Sequence, residues 1–205
     1  MNVELVSWAS FHRLARDLAL RIRASNFQPD MIVAIARGGV VPARVLCDYL
    51  DIMDLACVRI EHYRARHKAP EARVKHPLSI PIDGRRILVV DDVSDTGDSF
   101  IAALNHLREK GKPLEVRTCA LQHKIVSKFV PDYYAREITE WRWVTYPWAA
   151  IEDLGELIED GGLLEASVAQ IGQALRERHG IEPSQEQIQD ALAALSLKQT
   201  TGRPA

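Results

Sequence analysis

Two periods alternate along the apolar positions of this chain. Phe11, Leu14, Leu18 and Ile22 share one face of a helix that Ser10 can cap. Met31-Ile32-Val33-Ala34-Ile35-Ala36 then forms an unbroken apolar run, the pattern of a strand buried on both faces. Arg37-Gly38-Gly39 interrupts it, and Val40 to Leu50 reads as a helix with Pro42 in its first turn, where a missing N–H is tolerated. Leu55 to Ile60 predicts a second strand. His62 to Pro77 is basic, carries Pro70 and Pro77 and shows no apolar period, which predicts a loop. Ile87-Leu88-Val89-Val90 predicts a third buried strand that ends in Asp91-Asp92. A Thr96-Gly97-Asp98-Ser99 turn follows, then a helix from Ser99 to Lys110 closed by Gly111, then a strand over Leu114 to Leu121.

Strands alternating with helices imply an α/β fold with a doubly wound, mainly parallel sheet. After Pro147 the pattern becomes helical. Leu154 to Leu157 and Leu163 to Arg178 form helices, His179-Gly180 stops the second, and Ser184 with Gln187 makes a capping box for a last one. The expected organisation is a core domain over 1–150 with a flexible loop at about 62–78, a helical extension over 151–198 and a frayed tail over 199–205. No internal repeat is present.

Composition narrows the function classes. The 205 residues are 47% hydrophobic and 26% charged, ordinary for a globular protein with one sizeable core. A formal charge of −2 gives no support to a nucleic-acid surface or a membrane-attracted face. No apolar stretch is long enough to span a bilayer, and Met1-Asn2-Val3-Glu4-Leu5 does not read as a signal peptide. Cys47, Cys57 and Cys119 lack CxxC spacing and stand in apolar contexts, so they are expected to be buried free thiols in a reducing cytoplasm.

The chemistry concentrates at the end of the third strand. In open α/β sheets the carboxyl edge is where ligands bind. The Thr96-Gly97-Asp98-Ser99 turn can aim successive backbone N–H groups and a helix N-terminus at one anion. Paired acids beside such a cradle suit a ligand with both hydroxyls and a phosphate, with a divalent metal to offset charge. A sugar phosphate fits. Arg37-Gly38-Gly39 reads either as a plain strand-to-helix turn or as a second backbone anion site.

The order of apolar strand, two acids, short spacer and Thr-Gly-x-Ser resembles the PRPP-binding signature of the type I phosphoribosyltransferases. That resemblance implies their fold. It places the ribose hydroxyls on Asp91 and Asp92, the 5′-phosphate on Thr96, Gly97, Asp98 and Ser99, with Asp95 in the same loop, and Mg²⁺ on Asp91 and Asp92 directly or through water. Arg37-Gly38-Gly39 then resembles the pyrophosphate loop, whose peptide in this family is often strained or cis. The basic run Glu61 to Lys68, opened by His62-Tyr63, resembles the family's lid, with Arg64 a pyrophosphate contact; a solvated charged loop is the alternative.

Asp95 narrows the family further. Enzymes for 6-oxopurines are similar to this chain in carrying Asp-Thr-Gly here, and the acid would take the N7 proton as the ring nitrogen attacks; capping the next turn is its other reading. The resemblance makes Lys124 the donor to the purine O6, with a plain surface lysine and a nearby competitor, Lys128, as alternatives. Trp143-Val144-Thr145-Tyr146-Pro147-Trp148 resembles the xanthine–guanine enzymes, in which the first Trp stacks on the purine, so Trp143 stacks and Trp148 packs. Asp132-Tyr133-Tyr134 resembles the strand before that Trp. Departures are Asp98, an acid inside the phosphate loop, Ala149 in place of an acid after Pro-Trp, and a tail from Leu154 without counterpart.

The expected activity is an Mg²⁺-dependent transfer from PRPP to xanthine, guanine or hypoxanthine in purine salvage, in a cytoplasmic homodimer or homotetramer with no nucleic-acid or membrane partner. Two alternatives stand beside it: a non-catalytic PRPP- or nucleotide-sensing regulator on the same fold, and a phosphoribosyltransferase for another base.

Overall fold

The computed structural model describes residues 1–63 and 71–201. In the unit Phe11–Glu140 a six-stranded sheet has the order β4-β3-β2-β5-β6-β7, built from β2 (Met31–Ala36), β3 (Leu55–Tyr63), β4 (Glu71–His76), β5 (Arg86–Ser94), β6 (Glu115–Lys124) and β7 (Tyr133–Ile138). All neighbours are parallel except β3 and β4. The chain leaves β2 toward β3 on one side and returns through β5 on the other. The carboxyl ends of β2 and β5 therefore flank a topological switch point, the crevice in which open α/β sheets bind ligands.

The apolar runs behave as parallel strands covered on both faces. Val33, Ile35, Val58, Ile87 and Val89 join Phe100, Ala103 and Leu107 of α3 (Asp98–Lys110) in one core cluster. Ile32, Ala34, Leu88 and Val90, at the intervening positions, are equally buried. Val40–Leu50 forms α2, with Pro42 in the first turn, as its sequence predicts. Along β3, Val58 is buried and its neighbour Cys57 exposed, since successive side chains face opposite ways. The expected burial holds for Cys47 and Cys119 and fails for Cys57.

Two further readings are corrected. The helix α1 (Trp8–Ala24) starts before Ser10, and Ser7 does the capping, its Oγ accepting the Ser10 N–H at 3.1 Å. The stretch 62–77 is not all loop. β3 runs on to Tyr63 and β4 returns antiparallel, with Ile60 opposite Val74, so Val74 and Ala72 pack against the core while Arg73 and Lys75 face out. The remainder of the expected lid, with Arg64, lies outside the described residues.

The second unit comprises Met1–Ser10 and Trp141–Ala205. β1 (Val3–Leu5) pairs in parallel with β8 (Trp143–Thr145), which is why the unit begins before the expected boundary at 150. Helices α4 (Ala150–Asp160), α5 (Val168–His179) and α6 (Gln185–Thr201) bury Leu154, Ile158, Ile171, Leu175, Ala191 and Leu195 together. A Ser167–Gln170 capping box opens α5 later than its sequence suggests, and Gly180 closes it at φ 71. Ser184 caps α6 as predicted, and α6 continues to Thr201, past the expected end at 198.

Candidate active site

β5 does not stop at its acids. Strand pairing continues through Val93 and Ser94 opposite Gln122 and His123, so Asp91 and Asp92 stand inside the last turn of ladder at the switch point. Each carboxylate accepts the next backbone N–H, Asp92 N to Asp91 Oδ1 at 2.9 Å and Val93 N to Asp92 Oδ1 at 2.8 Å. Asp91 is buried, and its burial, reinforced by the neighbouring Asp92 charge, pushes its carboxyl well above the usual carboxylate range.

The glycine turn after β2 lies against these acids. A Cβ on Gly38 would overlap the Asp92 carboxyl, with Cγ 2.6 Å away, and one on Gly39 would meet the Ile35 carbonyl oxygen at 2.8 Å and the Asp91 Cα at 3.0 Å. Only glycine permits that approach at either position. The Ala36–Arg37 peptide bond is cis.

Past β5 the chain forms a cleft of about 180 Å³ lined by residues 91–97, Ser99 and Phe100. Gly97, at φ 86, turns the backbone into α3. The Thr96 hydroxyl accepts the Asp98 N–H at 3.3 Å and donates to Asp98 Oδ2 at 3.0 Å. The residues read from the sequence as a phosphate cradle therefore do form one continuous turn at a helix N-terminus.

Two lysines reach this turn, Lys124 from the last position of β6 and Lys128 from the chain that follows it. Lys124 Nζ lies 2.9 Å from Asp95 Oδ1, with the lysine side chain 2% exposed and the aspartate 36%. Lys128 Nζ lies 2.8 Å from Asp98 Oδ1. Lys124 thus pairs with Asp95 and Lys128 with Asp98. The segment carrying Lys128 is fastened to the turn. Lys128 N donates to the Thr96 carbonyl at 3.2 Å, and Ser94 Oγ donates to the Phe129 carbonyl at 2.8 Å and lies 2.9 Å from Ser127 Oγ. Phe129 stacks on Phe100 at 5.1 Å, and its backbone N would lie 2.8 Å from any Cβ at Gly97. Ser94, Ser127 and Phe129 were not singled out in the sequence. Their one outward sign is the acid at Asp98, which demands a nearby cation.

In the second unit Trp143 is 37% exposed, and its indole Nε1 donates to Asp153 Oδ2 at 3.0 Å. Thr145 Oγ1 donates to the same oxygen at 2.7 Å, so an α4 carboxylate without sequence signal fixes the ring. Trp148 stacks on Tyr146 at 4.8 Å. Among the described residues no group of three or more metal-ligating side chains occurs, and no helix is long and apolar enough to cross a membrane.

Positions 3–150 match the phosphoribosyl transferase domain family. The xanthine-guanine phosphoribosyltransferase of Idiomarina loihiensis is 32% identical over 146 residues, covering 70% of this chain and 84% of that one. Among solved structures, the purine phosphoribosyltransferase of Pyrococcus horikoshii aligns with TM-score 0.64 at 29% identity, over 72% of this chain and 94% of that one. A protein of Neisseria gonorrhoeae with bound ppGpp aligns with TM-score 0.62 at 27% identity, over 78% and 97%. The strand order, the glycine turn against paired acids and a sequence match across most of the chain lead to one conclusion: this chain belongs to the phosphoribosyl transferase domain family.

Proposed function

We propose that the chain transfers the phosphoribosyl group of PRPP to a 6-oxopurine, releasing pyrophosphate and a purine nucleoside monophosphate. The observation that carries the reading is the Asp95–Lys124 pair. A 6-oxopurine presents N7–H and O6 side by side on one edge, a donor next to an acceptor. A carboxylate and an ammonium 2.9 Å apart present the complementary order, acceptor next to donor. Adenine would turn an amino group toward the ammonium and leave both donors facing each other.

In the reaction N9 attacks the anomeric carbon, the bond from that carbon to the pyrophosphate oxygen breaks, and positive charge develops on the ribose. Asp95 takes the N7 proton as N9 loses its lone pair to the new bond. Lys124 stabilises charge on O6. Asp91 and Asp92 orient the ribose hydroxyls, the turn from Thr96 through Gly97 and Asp98 to Ser99 holds the 5′-phosphate with backbone amides, and the Arg37-Gly38-Gly39 turn receives pyrophosphate. Arg64 closes over it in the lid reading. Trp143 stacks on the base; its N–H is already satisfied by Asp153, so its π face is what it offers.

Two carboxylates suit Mg²⁺, a hard cation that keeps several waters and is bound through one or two carboxylates plus substrate oxygens. Asp91 and Asp92 would hold it, directly or through water, and when bound it would supply positive charge to the departing pyrophosphate. The like-charge pair, with Asp91 buried, supports this, since a divalent cation would offset the charges that disfavour ionised Asp91. A homodimer or homotetramer in the cytoplasm completes the reading.

The test is a base panel. Purified protein with PRPP and Mg²⁺ is expected to release pyrophosphate with hypoxanthine, guanine or xanthine and not with adenine, uracil or orotate. PRPP binding without release under every base would instead establish the regulator, a second reading favoured by the Neisseria gonorrhoeae relative with bound ppGpp. Turnover with another base alone would establish the third.

A further inference from the structure

We propose that Lys128 is the countercharge of the phosphate cradle: it neutralises Asp98 so that a phosphate dianion can enter a turn that carries an acid of its own. The proposal rests on the reading of this turn as the 5′-phosphate site.

A carboxylate at the first position of α3 competes with any anion for the same helix N-terminus. Asp98 is that carboxylate, and it does not face away. Its Oδ2 accepts the Thr96 hydroxyl at 3.0 Å, so the side chain folds back onto the cradle. Left alone, it would place a negative charge within a few ångströms of an incoming phosphate. Its other oxygen, Oδ1, meets Lys128 Nζ at 2.8 Å.

A single lysine 65% exposed to water is ordinarily a weak partner. Here the backbone that carries it is held in place. Lys128 N bonds to the Thr96 carbonyl, and on either side of it the Ser127 hydroxyl and the Phe129 carbonyl are tied to Ser94 at the end of β5. Gly97 lets this segment approach so closely that a Cβ there would lie 2.8 Å from Phe129 N. The cation is thus delivered to the turn by a tethered main chain, while its exposed side chain keeps room to adjust. An ammonium has three donors. One of them serves Asp98 and offsets its charge.

Lys128 is therefore a specificity-determining residue for the phosphate, acting through Asp98. The experiment titrates ribose 5-phosphate into four proteins by calorimetry: the parent, Lys128→Ala, Asp98→Asn and the double variant. Lys128→Ala is expected to weaken binding about tenfold, equivalent to about 1.4 kcal/mol, because the acid is left uncompensated. Asp98→Asn should tighten it, and the double variant should return to within about threefold of the parent on the same scale. The Lys128→Ala loss should shrink as KCl is raised, and Lys128→Arg should recover most of the affinity. A purely structural role for the segment would show neither behaviour.

If the double variant binds as weakly as Lys128→Ala, or the loss is independent of salt, the countercharge role is overturned. The titration needs no purine and no turnover. A protein that fails the base panel but shows this pattern would overturn the proposed activity and leave the cradle assignment standing. No binding of ribose 5-phosphate by the parent would overturn the cradle itself.

Discussion

Asp95 and Asp98 stand three residues apart, and each meets a lysine, Asp95 the one that ends β6 and Asp98 one in the chain just after it. The separations are nearly the same, 2.9 Å and 2.8 Å. Burial is not, since the Lys124 side chain is 2% exposed and that of Lys128 65%. An exposed pair contributes roughly 0–1 kcal/mol, whereas a charge sealed from water must keep a partner. Lys124 therefore keeps its ion pair with Asp95, and in the proposed reaction the edge of a 6-oxopurine would meet both groups. Lys128 is held loosely by its ammonium and firmly by its backbone, which suits adjustment around a mobile anion. Distance alone does not separate a recognition pair from a compensating one.

The comparison can be broken most severely at Asp95. Asp95→Asn keeps an acceptor for Lys124 but cannot take a proton, and turnover should fall about 10²–10⁴-fold with the loss in kcat rather than in KM for PRPP. Steady-state kinetics checks this, and an unaltered kcat would remove Asp95 from the mechanism. Lys124→Met fills the same buried space without charge. It should raise KM for the 6-oxopurine by about ten- to a hundredfold, the worth of a hydrogen bond to a charged group, and narrow the preference over adenine.

Asp91 sharpens the comparison from the other side, as a buried acid with a second acid, Asp92, beside it. Its carboxyl is raised by burial first and by Asp92 next. The folded protein thus keeps a proton that the unfolded chain releases above about pH 4. Stability from this group is complete in acid and is lost as pH rises toward the folded value. Asp91→Asn should accordingly melt above the parent at pH 7, with the gap closing as pH falls to about 4, followed by circular dichroism. A constant gap across that range would show that the carboxyl is not held protonated. At the weak end of the series stands Arg176–Glu182, with both side chains about two-thirds in water, 65% and 68% exposed. Glu182→Gln should alter stability by less than about 0.5 kcal/mol in denaturant titration.

Legibility followed how locally each feature is determined. β2 occupies the residues its apolar run marks, Met31–Ala36, because a strand buried on both faces needs an unbroken run. The acidic pair, the Thr-Gly turn and the glycine turn were legible for the same reason, each being a short stretch whose backbone dictates its own chemistry. β4 was not. Its period-two signal rests on Ala72 and Val74 alone, set among charges that edge strands use to deter further pairing, including Lys75, which reaches Glu61 at 2.7 Å. Ser94, Ser127 and Asp153 were hidden more deeply. A single hydroxyl or carboxylate, whether at a strand end, in a turn or on a helix, carries no periodicity of its own, and its partner is chosen by tertiary proximity. Asp98 lay between these cases: the sequence posed the problem of its charge, and the fold supplied Lys128.

Gly38 and Gly39 reach further than their own turn. Because any side chain at 38 would collide with the Asp92 carboxyl, and any at 39 with the main chain beneath Asp91, the two signatures are halves of one object although distant parts of the chain encode them. A lineage that exchanged the acids for a bulkier pair would still be bound to the glycines, and one that lost a glycine would displace the acids before altering anything else. A side chain introduced at either glycine would have to push against the acids or the strand that carries them, so damage to one signature is expected to reach the other.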